Sequence, residues 1–311
     1  MPNCLFCYKP VEEGEQEYHV KCCKSFFGLA ALPELHLDKK LLEELANQTV
    51  NQRIAVTGVQ PKLSVDLAKT RKGGERLTIV GLWGEYILKP QHEQFMHMPE
   101  TEDLTMHLAS LFDIKVCRHT LMRTLEGELV YLAKRFDRQN GQKIHVEDFC
   151  QLSELLTEQK YKSSYEKIGK LIRLYCTYKG LDALAFFELV LFSYLTGNND
   201  MHLKNFSVIH DNGEIKLAPA YDLLNVNLVF PDDKEELGLT LNGKKRKLTK
   251  KDFNTLSASL SQPERAIENV YQKFTNRQNE VKRLIESSFL PADWKERYLA
   301  IWNEKIKILI G

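Results

Sequence analysis

The chain has 311 residues, 43% of them hydrophobic and 27% charged, which is enough apolar content for a core without disulfide staples and too much for a largely disordered chain. Its 43 basic and 42 acidic side chains leave a net charge of +1, so no global field draws it to nucleic acid and no direct DNA binding is expected. The opening MPNCLFCYKP lacks a basic stretch followed by an apolar one, and no apolar run reaches the ~18 residues of a spanning helix; the expected setting is cytoplasmic, with no membrane partner.

Four of the seven cysteines, Cys4, Cys7, Cys22 and Cys23, crowd the first 23 residues. In a cytoplasmic protein such crowding points to metal or buried thiols before disulfides. CLFC and HVKC set Cys4 against Cys7 and His19 against Cys22, each pair with two residues between, the spacing that clamps two sides of a tetrahedral Zn²⁺. Buried thiols in a small apolar cap explain the same residues, and Cys23 could stand in for Cys22. Residues 1–29 are accordingly expected to form a small Cys/His-rich appendage with a zinc site in view.

HLDKKLLEELANQTV predicts an amphipathic helix with Leu37, Leu41, Leu42 and Leu45 on one face. Short runs follow, KLSVDL, RLTIVG, GEYILKP and ELVYLAKRF, which predict antiparallel strands. The stretch ETEDLTMHLASLF interrupts them with a helix carrying Leu104, Leu108 and Leu111. Residues 30–146 thus form a mostly β half. Beyond IHVEDFCQL the pattern turns helical: about 164–179, then LDALAFFELVLFSYLTG, apolar enough to be buried all round, with Gly197 as its stop. FSVIH and IKLAP around Asp211, Asn212 and Gly213 predict a hairpin; 226–248 is irregular, and 249–311 returns to helices punctuated by Pro263 and Pro291. The fold class expected is α+β, its second half, 147–311, mainly helical.

The hairpin gathers the chemistry. Asp200 and Asn205 precede it and Asp222 follows it, so a turn-back can bring the three to one end of the ribbon. Mg²⁺ prefers hard oxygen ligands, which suits Asn205 and Asp222. Asp200 is left to orient or accept the proton of an attacking hydroxyl, five residues before Asn205, as in the catalytic loop of protein kinases. Lys204 is placed to neutralise a transferring phosphoryl group. Lys89 ends a strand, where it could reach nucleotide phosphates, with Glu100 or Glu102 as its ion-pair partner. The amides around Gly58 offer an anion nest, and Thr57 or Ser64 a phosphorylatable hydroxyl. A helix cap running into a plain hairpin, a solvated strand end and an ordinary β-turn are the bland alternatives. GKKRKLTKK, with six basic residues at 243–251, reads either as a phosphate-backbone contact or as a solvated loop.

TGVQPKLSV, YILKP, RFDR, EDFCQL, GNNDMHLKNFS and LAPAYDLLN, in this order over about residues 50 to 255, resemble the HipA-like bacterial serine/threonine kinases, toxins of toxin–antitoxin systems. The resemblance implies a two-lobed protein-kinase-like fold, ATP with Mg²⁺, and phosphorylation of an aminoacyl-tRNA synthetase that arrests translation, tryptophanyl- favoured and glutamyl- second. It makes Lys89 the phosphate-binding lysine, Asp200 the catalytic base and Asn205 and Asp222 the Mg²⁺ ligands. Thr57, Gly58, Val59, Glu102, Lys134, Phe136 and His202 become nucleotide-pocket candidates, and Thr57 the site of autophosphorylation. Full-length HipA toxins carry an N-terminal subdomain with no counterpart here, so the chain looks like the short HipT type, whose partners are a DNA-binding HipB-like antitoxin and a small HipS-like protein. Two departures stand out: Ala55 and Thr57 where the family loop often carries serines, and Lys134 where the hinge usually carries Glu. They keep open a kinase-like pseudoenzyme that binds nucleotide and partners an antitoxin.

Overall fold

The computed structural model describes residues 2–15, 17–35, 62–70, 74–80, 83–139 and 141–310. The predicted helix over 36–50 and the loop carrying Thr57, Gly58 and Val59 lie outside them. The chain divides into two compact units, one of residues 1–103 and 118–135, the other of 104–117 and 136–311.

Unit 1 is built on a six-stranded sheet: β1 (Glu34–Leu35), β2 (Leu63–Lys69), β3 (Glu75–Ile79), β4 (Tyr86–Lys89), β5 (His119–Arg123) and β6 (Leu129–Lys134), in the order β1-β3-β2-β4-β6-β5. Neighbours are antiparallel except β1, which lies parallel to β3 with Leu35 opposite Leu77. Tyr86, Leu88, Leu121, Tyr131 and Leu132 are buried and form the centre of the unit's core. The N-terminal residues pack on this sheet. Helix α1 (Val20–Phe27) closes at Gly28, whose left-handed backbone (φ 75°) lets its N–H reach the Lys24 carbonyl, the usual use of glycine at a helix end. Phe26 and Phe27 pack against Tyr86 with tilted rings, centroids 5.8 and 6.0 Å away.

β5 is missing from the strands read in the sequence. It starts with two polar residues, His119 and Thr120, both buried, whose partners come from far along the chain: Asp103 Oδ1 lies 2.7 Å from His119 Nδ1, and the Tyr18 hydroxyl 2.7 Å from Thr120 Oγ1. No local alternation announces such a strand.

Helix α2 (Met98–Leu111) starts in unit 1 and ends in unit 2. Unit 2 carries a small hairpin, β7 (Arg138–Gln139) with β8 (Gln142–Lys143), and a three-stranded sheet of β9 (Val146–Asp148), β10 (Ser207–Asp211) and β11 (Glu214–Leu217) in the order β11-β10-β9. The β10–β11 hairpin turns at Asn212 and Gly213, both with positive φ, as their dipeptide predicts. Around the sheet lie α3 (Phe149–Leu152), α4 (Tyr165–Tyr175), α5 (Lys179–Leu195), α6 (Val226–Val229), α7 (Lys250–Ser259), α8 (Glu264–Asn276), α9 (Gln278–Ser287) and α10 (Ala292–Ile310). The apolar stretch read as a buried helix is α5, and its side chains from Leu189 to Leu195 are all buried. Gly197 follows it with φ 66°, and a Cβ there would meet Asn225 Oδ1 at 2.9 Å, so both conformation and space demand glycine. No described helix is long and apolar enough to cross a membrane.

Candidate active site

In unit 1 the sheet delivers Lys89 at the end of β4, opposite Tyr131 of β6. Lys89 is 4% and Glu102 3% exposed, and the Lys89 ammonium donates to both Glu102 carboxylate oxygens, at 2.6 and 2.8 Å. Of the two glutamates considered as partners, Glu102 is the one that pairs; Glu100 instead receives Gln91 Nε2 at 2.7 Å and lies 3.1 Å from His97 Nδ1. The next residue, Asp103, accepts from the Tyr8 hydroxyl at 2.7 Å and faces His119, so the N-terminal segment braces the same turn of α2 that presents Glu102. Lys134 ends β6, its ammonium 3.7 Å from Glu85 and 5.5 Å from the Tyr86 ring centre. The chain then passes into unit 2 at Phe136, whose ring lies 5.6 Å from that of Tyr221.

In unit 2 the loop between α5 and β10 holds Asp200, His202, Lys204 and Asn205. The Asp200 carbonyl accepts from the His202 N–H at 2.8 Å and from Asn205 Nδ2 at 3.0 Å. With its nitrogen so used, Asn205 keeps Oδ1 as the amide atom able to ligate a cation. His202 is buried at 5%; its Nδ1 accepts from the Lys204 N–H at 3.3 Å and its ring meets Tyr161 edge-on at 4.9 Å. Those contacts make it a brace of the loop. Lys204 Nζ donates to Asp148 Oδ2 at 2.7 Å, and Asp148 also caps α3. Asp222 has a left-handed backbone, φ 60°, a conformation that costs a non-glycine residue energy and concentrates at functional positions.

Two supports of this loop have no signature in the sequence. Tyr161 donates its hydroxyl to Asp200 Oδ1. Burial first, then the charges of Asp200 and Asp222, push its phenol far above its ordinary value, so it remains a donor. Tyr221 is likewise pushed up, by burial and then by Asp148 and Asp222, and donates to the Lys204 carbonyl at 2.8 Å. The charges of Asp200 and Asp222 both raise the phenol of Tyr161. The second support is the stretch 235–239. Asn199 Nδ2 donates to the Glu235 carbonyl at 2.9 Å, and a Cβ on Gly238 would meet Asn199 O and Met201 N at 3.0 Å. What reads in sequence as irregular is the backing of the loop.

At the N-terminus the donor atoms of Cys4, Cys7, His19 and Cys22 lie within 4.8 Å of one another; Cys23, the alternative to Cys22, is buried outside the group. The basic run is partly neutralised, Lys244 pairing with Asp252 at 2.9 Å and Lys245 with Glu235 at 3.0 Å.

Comparison with known proteins identifies relatives of the chain. A Sinorhizobium fredii protein named "Putative kinase Y4dM" is 30% identical over 230 residues, covering 69% of this chain and 56% of its own. The "Serine/threonine-protein kinase toxin HipA" of Shewanella oneidensis is 28% identical over 211 residues, covering 61% and 47%. The chain thus spans about half the length of the curated relatives it matches. Among solved structures, Shewanella oneidensis HipA, from its complex with HipB and operator DNA, matches with a TM-score of 0.67 at 21% identity, over 83% of this chain and 66% of that one. The Helicobacter pylori proinflammatory kinase CtkA matches with a TM-score of 0.52 at 16% identity, over 72% and 87%. At these identities the likeness establishes the fold, a two-lobed kinase-like α+β architecture. The sequence model of the HipA-like C-terminal domain matches residues 54–281, well over half of the chain, and the chain therefore belongs to the HipA-like C-terminal domain family.

Proposed function

We propose that this chain is an ATP- and Mg²⁺-dependent serine/threonine protein kinase and the toxin of a cytoplasmic toxin–antitoxin system. The observation that carries the reading is the buried, two-pronged Lys89–Glu102 pair. A lysine on a sheet strand paired with a helix glutamate is the arrangement kinases need in order to hold nucleotide phosphates. A merely structural role explains it less well, because a buried ion pair gives little net stability over apolar residues of the same size.

In this reading Lys89, oriented by Glu102, binds phosphate oxygens. Asp200, whose carboxylate Tyr161 holds by a hydrogen bond, orients the substrate hydroxyl and takes its proton. Asn205 Oδ1 and the Asp222 carboxylate fit the oxygen donors that Mg²⁺ prefers, and the ion, when bound, supplies neutralisation of phosphate charge. Lys204, tied to Asp148, fixes the loop and adds positive charge. Lys134 and Phe136, with Thr57, Gly58 and Val59, are assigned to the nucleotide by resemblance, whereas His202 is assigned to bracing the loop. Thr57 is the proposed autophosphorylation site. The substrate proposed is an aminoacyl-tRNA synthetase, tryptophanyl- before glutamyl-. A HipB-like antitoxin, by analogy with the HipA–HipB–operator complex, and a small HipS-like protein are the proposed partners.

The test is transfer of labelled γ-phosphate in a bacterial lysate, comparing the wild type with Asp200→Asn and identifying labelled bands by mass spectrometry. A labelled synthetase absent from the Asp200→Asn reaction is the expected result. ATP binding without any transfer by the wild type would instead favour the pseudoenzyme.

A further inference from the structure

We propose that Cys4, Cys7, His19 and Cys22 bind one Zn²⁺ in a closed tetrahedral shell that staples the N-terminal segment of unit 1. Their donor atoms all lie within 4.8 Å of one another, and His19 Nδ1 is 3.3 Å from Cys7 Sγ and 3.6 Å from Cys22 Sγ. Zinc bonds of about 2.3 Å to sulfur and about 2.0–2.1 Å to nitrogen, set at the tetrahedral angle, give S···N edges of roughly 3.5 Å. The side chains are spaced as a ligand shell is spaced.

The imidazole is oriented for the task. His19 Nε2 lies 2.9 Å from the Pro10 carbonyl oxygen, an acceptor only, so Nε2 carries the proton and Nδ1 turns its lone pair toward the two sulfurs. Such an outer hydrogen bond is what fixes the tautomer of a zinc-ligating histidine. The backbone is shaped to match. The turn from Cys4 to Tyr8 is closed by the Tyr8 N–H on the Cys4 carbonyl at 2.9 Å, and the start of α1 by the Cys22 N–H on the His19 carbonyl, also at 2.9 Å. One pair of ligands rides on a turn and the other on the first turn of a helix.

Three sulfurs and one imidazole suit zinc better than hard cations, and four protein ligands leave no open position for a reacting water, so the site is structural. The segment has reason to need it, because a stretch this short cannot build a sufficient core of its own. Its contacts to the rest of unit 1, Tyr8 to Asp103 and Tyr18 to Thr120, depend on its holding shape.

The experiment is metal analysis of the purified full chain, followed by Co²⁺ exchange and visible spectroscopy. One zinc per chain is expected, with a Co²⁺ form showing the intense d–d bands of a tetrahedral site and a thiolate charge-transfer band. Cys7→Ser and Cys22→Ser should lose the metal and Cys23→Ser should keep it. His19→Cys, which preserves a four-ligand shell, should keep zinc and strengthen the thiolate band. That variant and the wild-type spectrum decide the matter even where a serine variant fails to fold. The proposal is overturned if the wild type grown with zinc carries none and develops no Co²⁺ bands. It is equally overturned if zinc persists in Cys7→Ser and Cys22→Ser, which would trace it to another cluster, His145, Glu147 and His210 or Asp103, His107 and His119, or if Cys23→Ser loses it to the same extent.

Discussion

Lys89 and Glu102 place opposite charges where water scarcely reaches, with side-chain exposures of 5% and 4%. Each ion lost most of its hydration on folding, and the partner restores what solvent no longer supplies. Lys89→Met or Glu102→Leu alone breaks the buried pair and should lower the unfolding free energy by about 3–5 kcal/mol. The double replacement removes both charges and should recover most of that loss. Urea unfolding of the three variants measures the coupling; losses that simply add would show that the two residues do not act as a pair. The sequence named Lys89 from its strand end but left Glu100 and Glu102 open, since both lie in the first turns of one helix. What separates them is that Glu100 is engaged by Gln91 and His97, contacts set by the bend before the helix rather than by helical spacing. Asp200, Asn205 and Asp222 were singled out because the tight hairpin beside them announces itself locally. Tyr161 was not, because it reaches Asp200 across 39 positions with no periodicity to betray it.

At the level of elements, the stretch behind the proposed catalytic loop matters as much as the loop. Gly238 approaches the backbone of Asn199 and Met201 so closely that a Cβ would sit 3.0 Å from them, and neither backbone can rotate away as a side chain would. Gly238→Ala is expected to keep the fold while displacing Asp200, lowering phosphoryl transfer on the order of 10- to 100-fold. Circular dichroism alongside the transfer assay separates that outcome from unfolding. α7 offers a test of electrostatics. Burial opposes ionisation of Asp252, yet hydrogen bonds from Lys244, Asn242 and Thr249 outweigh it and hold its pKa at about 2, below the ordinary 3.8. A depressed carboxylate stabilises the fold fully above its unfolded value and loses that contribution as pH falls through its folded value. Asp252→Asn should therefore cost about 2 kcal/mol at pH 7, and the difference from wild type should fall to about half by pH 3. Denaturant midpoints at the two pH values check it. The sequence read this helix and its basic approach but not their link, because Lys244 looks like solvent-facing charge until Asp252 is seen facing it. β5 teaches the same lesson, its polar residues buried only because Tyr18 and Asp103 arrive from elsewhere.

For the whole molecule, charge decides which partners need help. With 43 basic against 42 acidic side chains, attraction to nucleic acid would have to come from the run at 243–251. Three carboxylates border the run of six cations: Asp252 pairs with Lys244, Glu235 pairs with Lys245, and Glu236 accepts from the Leu248 N–H at 2.8 Å. Lys250 is further engaged over the Tyr271 ring at 4.8 Å. Each phosphate neutralised contributes about 0.9 to the slope of log K against log salt, so the charge left over supports a slope of no more than about 3. The chain alone is therefore expected to bind a labelled DNA duplex weakly, with that shallow slope in fluorescence anisotropy between about 50 and 200 mM salt. A slope of about 5 would mean that the whole run engages phosphate and that the carboxylates yield to it. DNA contact in an assembled complex would then belong to this chain as well as to an antitoxin. A shallow slope would leave DNA contact to the proposed antitoxin.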